Sequence, residues 1–389
     1  MSIRDNLRAL PGPAWILFGG TFVNRFGTFV VPFLVLYVTR LGFSAARAGF
    51  ALAAYGSGHL IASLAGGHLA DRLGRRNTIA ISMFFSATAM MALSQARSYY
   101  AIVILATVAG LAAELYRPAA SALIGDLVQP EQRITAFAMY RFAVNLGWAA
   151  GPATAGFLAD HSFLLLFIGD AVTSIAYGFI ALAFLPHGLR HAAHDERFSE
   201  AFRVAARDKR FMLFLAASVL VTTVDFQTGS TFPLWIERCG HSSSTYGLLL
   251  SINGVLIILL ELAMTAWTER HPPQRMIALG YLLSGLGVAA TGLAHSVPAL
   301  AATVCIWTLG EMIASPVTGA YVTHLAPERY RGRYNGMWVL SWALGLIIGP
   351  SLGTLTFQYS PALLWGSCAV IAVMSAVLAI MPAQAPADE

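Results

Sequence analysis

Eight Asp, Glu and Arg side chains sit well away from the ends of the long apolar runs of this 389-residue sequence: the bases Arg25, Arg117 and Arg141 and the acids Glu114, Asp170, Asp225, Glu261 and Glu311. A charge at the centre of a bilayer costs about 2.5–3.5 kcal/mol on insertion scales, so each must pair, or do work in a water-reachable cavity. Glu114 and Arg117 are three apart, share a helix face and can neutralise one another. Glu311 has Ala314 and Ser315 at the same offsets and therefore no local cation. Burial disfavours the charged form of such a carboxylate, so it can take up and release a proton, or bind a cationic substrate in the proton's place. Glu311 is the first candidate for that role, the alternative being a pairing with Arg25 or Arg141 from another helix. Asp225, in "TTVDFQTGS", is the second, with Thr222, Thr223 and Gln227 forming a polar patch expected to face a wet cavity. Glu261 and Asp170 are lesser candidates. Asn24 and Arg25 lie at mid-depth in "FVNRFGTFVVPFLVLY", with Pro32 where a helix would bend, and Asn145 follows Arg141 by one turn.

The elements that must position these residues are set by composition. The chain is 57% hydrophobic and 11% charged, with a mean hydropathy of +0.66; soluble domains carry about 25% charged residues. A hydrocarbon layer about 30 Å thick needs roughly 20 apolar residues per helix. Apolar runs fall near 13–39, 45–69, 78–95, 99–123, 134–158, 162–185, 211–236, 245–267, 275–294, 297–322, 333–357 and 360–381. The expected fold is all-α, with twelve transmembrane helices in two pseudo-symmetric six-helix bundles around a central cavity. The first run has no small-residue cleavage site after it and reads as a retained span.

Several function classes fall away. Cys239, Cys305 and Cys368 make no disulfide framework and no CxxC pair. His187, His191 and His194 follow a proline in a linker without a further ligand cluster, so no metal site is expected. "GSGHLI" lacks the third glycine of a nucleotide fingerprint, and Lys209, the single lysine, is in no phosphate loop. No cofactor is expected, and no nucleophile–base set argues for an enzyme. The pI near 9.2 comes from arginines scattered between spans, which fits topology and not nucleic-acid binding.

Outside the spans, Arg40, Arg47, Arg97 and Arg238 fall on one side and all other Lys and Arg on the other. The positive-inside rule then puts both termini in the cytoplasm of a plasma (inner) membrane protein. The polar stretch 187–210 separates an N-terminal bundle, 1–186, from a C-terminal bundle, 211–389. Phe198, Phe202 and Ala205 recur in it at helical spacing, as in an amphipathic surface helix. The halves repeat: "ELYRPAASALIGDLVQPEQR" (114–133) parallels "EMIASPVTGAYVTHLAPERY" (311–330), and Gly151-Pro152 parallels Gly349-Pro350, at offsets of 197 and 198. Internal duplication on this scale builds secondary transporters.

"GGHLADRLGRR", Gly66 to Arg76, interrupts the chain after the second run. With twelve spans in two halves, it resembles the major facilitator superfamily, whose motif G-x-L-a-D-r-x-G-r-r is matched by Gly67, Leu69, Asp71, Arg72, Gly74, Arg75 and Arg76. "GWAAGPATAG", Gly147 to Gly156, is similar to the G-x-x-x-G-P-x-x-x-G motif of that family's drug:proton antiporter, twelve-span multidrug efflux branch. Gly74 suits a tight turn, Gly67 a close helix approach, and Asp71 the positive end of another helix. The resemblance implies that this helix is the eleventh span, near Arg333 and Tyr334, and that Arg75 meets Asp126. These contacts would latch the halves when the cavity faces outward. "WTERHPPQR" (267–275) lacks the glycines, so the latch is expected on one side only. Gly147, Gly151 and Pro152, with Gly345, Gly349 and Pro350, are expected to bend gating helices. Multidrug members carry acids in spans seven and ten, as here; the span-five acid some of them use is absent, Arg141 and Asn145 standing there instead.

The expected function is proton-coupled export of lipophilic or amphipathic, drug-like compounds, cations among them, by a monomer whose partners are a small-molecule substrate, protons and the bilayer. Its energy source is the proton gradient. Rival readings are export of a sugar or small metabolite, for which Asn24, Asn145, Asn253 and Gln227 would line the cavity, movement of a lipid or glycolipid, or a non-transporting membrane receptor.

Overall fold

A computed structural model describes residue 7 and residues 9–188 and 198–381. Arg4, Arg8, Arg190, Arg197, His191 and His194 lie outside the described residues, as does much of the 187–210 linker. In chain order the helices are α1 Gly12–Phe26, α2 Val30–Arg40, α3 Ala45–Leu73, α4 Arg75–Gln95, α5 Tyr99–Glu114, α6 Tyr116–Leu127, α7 Arg133–His161, α8 Phe163–Phe184, α9 Phe198–Arg207, α10 Lys209–Asp225, α11 Thr231–Arg238, α12 Ser243–Thr268, α13 Pro273–Ala290, α14 Val297–Leu325, α15 Arg331–Tyr359 and α16 Pro361–Ile380. No strand occurs among the described residues.

Eleven helical segments are long and apolar enough to cross a membrane; α1 with α2, α5 with α6 and α10 with α11 each count as one. The twelfth span is α7, whose 29 residues extend about 44 Å at 1.5 Å per residue. Its Gly- and Ala-rich sequence with Arg133 and Arg141 lowers its hydropathy without shortening it. The chain is thus an all-α, multi-pass membrane protein. Large apolar side chains point outward, Leu262 being 85% exposed and Leu259 71%. In water that would invite aggregation; against lipid it is the expected surface, and small residues mediate the helix contacts instead.

Local sequence explains where helices start and break. Ser44, Ser98, Ser162 and Ser360 accept backbone N–H bonds as N-caps, and Asp208 accepts those of Arg210 and Phe211. Gly74, at φ +87°, makes the turn between α3 and α4. Proline has no N–H for the carbonyl four residues back, and three spans break near such positions. Pro32 follows the break at 27–29, Pro118 the break at Leu115, and Pro233 the tight turn Phe226–Gly229. The breaks in the first and seventh spans stand about as far apart as the sequence repeat, so the duplication extends to the helix interruptions.

By packing, the chain forms two compact units: Met1–His194 with Ile236–Ile258, and Asp195–Trp235 with Leu259–Glu389. The first packs around Phe18, Leu123, Tyr116 and Tyr177, the last two edge to face at 5.8 Å. The second packs around Phe211, Phe214, Tyr321 and Tyr334, with the Phe211 and Tyr334 rings 4.3 Å apart. The beginning of α12 joins unit 1 although it follows the linker in sequence. Asp160 at the end of α7 accepts the Ser243 and Ser244 N–H groups at 2.9 and 3.0 Å, and the Tyr246 hydroxyl donates to the Pro32 carbonyl at 3.1 Å. The short α9 buries Ala205 and leaves Phe202 exposed.

The expectation of a close approach at Gly67 is corrected. A Cβ on Gly67 would meet nothing within 4 Å among the described residues; the close approaches of α3 are made by Gly58, against the Thr107 carbonyl, and by Gly66, against Leu115 and Pro118. Helices α7 and α15 run unbroken through Pro152 and Pro350. Their glycines make close contacts: Gly147 and Gly151 press on Arg25 and Phe26, and Gly345 and Gly349 on Thr222 and Thr223. The interrupted helices are the partners they press on, in the first and seventh spans. Because Gly58 and Gly110 meet backbone, Gly58→Val or Gly110→Val should destabilise the purified protein by about 2 kcal/mol through overpacking, read as a fall in Tm, whereas Gly67→Ala should leave Tm unchanged.

Candidate functional site

In unit 2, Asp225 and Glu311 line one cavity of about 80 Å³, enough for several waters. Asp225 is the last residue of α10, immediately before the seventh-span break, and Glu311 lies midway along α14. The Ser284 hydroxyl donates to Asp225 Oδ1 at 2.6 Å, and Ser218 and Tyr281 share a hydroxyl contact of 2.9 Å. Trp338 and Trp342 complete an aromatic wall. Among the described residues lining this cavity there is no lysine, arginine or histidine. Two carboxylates in one hollow repel when both are charged, and a proton or a cationic ligand relieves that repulsion.

Gln227 does not belong to this cavity. It is 2% exposed, its amide donates to the Thr223 and Gly349 carbonyls at 3.0 and 2.9 Å, and its oxygen accepts from Thr231 at 3.0 Å. It ties the tight turn of the seventh span to α10 through Thr223 and to α15 through Gly349. Thr222 does line the cavity, but its hydroxyl donates to the Ser218 carbonyl at 2.8 Å.

In unit 1, Glu114 is the centre of a basic cluster. Arg25, His59 and Arg117 approach it at 3.5, 3.4 and 3.2 Å. The sequence pairs Glu114 with Arg117; it gives no signal for His59, which arrives from α3, and Arg25 chooses Glu114 as its acid. The Arg25 guanidinium also lies 5.6 Å from the Tyr116 ring centre, a favourable cation–π distance. Asn24, Arg25, Thr28, Tyr55, Glu114 and Asp170 border a cavity of about 10 Å³, room for about one water. Asp170 Oδ2 accepts the Val30 N–H at 3.4 Å. Arg141, Asn145, Asn253 and Glu261 line neither cavity.

The polar turn after α3 is ordered by ion pairs. Arg75 Nε lies 2.7 Å from Asp126 Oδ2, the pair being nearly buried, and Arg75 Nη1 lies 3.4 Å from Asp71 Oδ1. Arg72 is exposed, and Arg76 reaches His187 at 3.1 Å. In unit 2, Tyr334 is buried on Phe211, with its hydroxyl 3.5 Å from Asp208 Oδ2, and Arg333 begins the same helix.

Twelve spans, a duplicated plan and ionisable side chains in cavities at membrane depth define a polytopic transporter. The chain belongs to the Major Facilitator Superfamily, whose profile matches residues 17–246 and 228–389. It is 29% identical over 349 residues to an uncharacterized MFS-type transporter, YqjV, of Bacillus subtilis (strain 168), covering 87% of this chain and 85% of that protein. It is 25% identical over 389 residues to a Na(+), Li(+), K(+)/H(+) antiporter of Planococcus maritimus, covering 90% of each. With the multidrug resistance protein MdtH of Cronobacter sakazakii (strain ATCC BAA-894) it shares 26% over 357 residues, 89% of this chain and 88% of that one. The fold matches the crystal structure of the nucleoside transporter NupG with a TM-score of 0.82 at 15% identity, over 95% of this chain and 98% of that one.

Breaking a buried ion pair by removing one partner costs about 3–5 kcal/mol. Arg75→Ala and Asp126→Ala should each lower Tm, and the double variant should lose less than the sum of the two single losses, by a coupling energy of about 1–3 kcal/mol in a thermal double-mutant cycle.

Proposed function

We propose that this transporter exports lipophilic or amphipathic compounds, cations among them, in exchange for protons, and that Asp225 and Glu311 are its coupling site. The observation that carries the reading is the convergence of these carboxylates, from α10 and α14, on one aromatic-walled cavity. At about 80 Å³ the cavity takes the charged end of a lipophilic cation and not the whole compound: the acids balance the charge, and the rings and Val221 line it. A proton bound at either acid removes the negative charge, weakens the hold on the cation and lowers the cost of moving the site across the membrane. Release of that proton restores the site. Alternating access then follows from which occupant, proton or substrate, neutralises the acids.

The relatives support this reading in two respects, one being named for multidrug resistance and one for exchange of cations with protons. The arginine asymmetry supports an inner-membrane protein with both termini in the cytoplasm. Such a protein needs no cofactor beyond the proton gradient and works as a monomer.

The test is accumulation of ethidium in proteoliposomes under an imposed pH gradient. Wild type should accumulate the dye, and Glu311→Gln and Asp225→Asn should each lose at least about tenfold in gradient-driven rate, the scale of one lost proton-transfer group. Unchanged accumulation in both variants would remove the assignment. A second measurement addresses the polar turn: Asp71→Asn should retain ethidium binding by fluorescence polarisation while losing transport, because the latch acts on conformation and not on the cavity.

A further inference from the structure

Asp170 is a buried acid that the coupling site does not use. It lies on α8, is 5% exposed, and accepts the N–H of Val30, the first residue of α2 after the break in the first span. Helix α8 is shaped to this break: Gly169 lies against the Phe29 ring, and Thr173 lies against Gly27. The carboxylate is therefore the cap of a half-helix inside the membrane, where an uncapped N–H has no water to turn to.

The charged and titratable groups facing Asp170 are Arg25 from α1, Tyr55 from α3 and Glu114 from α5, with His59 and Arg117 behind Glu114; α4 contributes Ser86 and Met90, which do not titrate. The Arg25 Nε is buried without a hydrogen-bond partner, while its Nη2 makes a long 3.5 Å contact to Glu114. Glu114 keeps His59 and Arg117 whether or not Arg25 stays. Arg25 thus pairs with Glu114 and shares with Asp170 the lining of a cavity with room for about one water.

The corresponding corner of unit 2 is the coupling cavity. Glu114 and Glu311 are 197 apart, Ser86 and Ser284 are 198 apart, and each cavity abuts the break in the first span of its half. The two corners differ in what holds the break. In unit 2 it is the neutral amide of Gln227; in unit 1 it is an ionisable carboxylate. We propose that Asp170 is a second proton-binding site: ionised, it holds the Val30 N–H, and protonated, it lets that N–H go. The proton comes from water and returns to it, with no other bond made or broken.

The inference rests on the reading of the chain as proton-coupled, and its test separates the two. Full-length protein in liposomes is titrated from alkaline to acid pH while infrared difference spectra record the carboxylic acid C=O bands. Asp170→Asn should lose one titrating band that the Asp225→Asn/Glu311→Gln double variant keeps. In wild type, exchange of the Val30 amide, corrected for its intrinsic pH dependence, should rise about tenfold as that band appears, the effect of losing a helix cap. A spectrum of Asp170→Asn identical to wild type overturns the proposal, and so does constant Val30 protection, a measurement that needs no variant. If bands assigned to Asp225 and Glu311 titrate and none belongs to Asp170, only the second site fails. If none titrates, the coupling reading fails with it.

Discussion

A carboxylate at membrane depth has three ways to exist: paired with a base, bathed in water, or carrying a proton. The rest of this structure follows from how each half meets that constraint. Unit 1 pairs. Glu114 sits among Arg25, His59 and Arg117, so its charge is permanent and serves as a fixed point on which α1, α3 and the fourth span converge. Unit 2 instead places Asp225 and Glu311 in one hollow with hydroxyls and indoles. Duplication supplied two equivalent corners, which differ in the side chains around their acids.

Broken helices are the second consequence. Pro32 and Pro233 interrupt the first and seventh spans, and every backbone group set free in lipid must find a partner within the protein. Gln227 answers for the seventh span through the Thr223 carbonyl and ties the turn to α15 at Gly349, and Asp170 answers for the first through Val30. These are the points where span geometry depends on a single side chain. Glycines secure the opposite effect along unbroken helices: Gly147 and Gly151 bring α7 onto Arg25 and Phe26, and Gly345 brings α15 onto Thr222.

What the sequence makes legible is what depends on local spacing. The hydropathy runs place the spans, the i to i+3 relation pairs Glu114 with Arg117, and the turn at Gly74 has its positive φ. The Arg75 contact to Asp126 comes from the family motif, and the structure sets it at 2.7 Å. Contacts that depend on which helix faces which were not legible. His59 carries no charge pattern that points to Glu114, which is 55 residues away. Gln227 looks like a cavity residue until its amide is seen to close a helix break. Gly67 and Gly66 are indistinguishable by composition, yet only Gly66 meets a neighbour, because one residue turns a helix position by about 100°. The beginning of α12 joins unit 1 through Asp160 and Tyr246, a tertiary choice that chain order conceals.

The central claim is that substrate and proton compete for the acids of unit 2. Its most direct measurement is proton release in weakly buffered solution when ethidium is added to the purified protein, followed with a pH-indicator dye. The account predicts release that saturates with dye binding and disappears in the Asp225→Asn/Glu311→Gln double variant. Saturable ethidium binding to wild type without any released proton would contradict it.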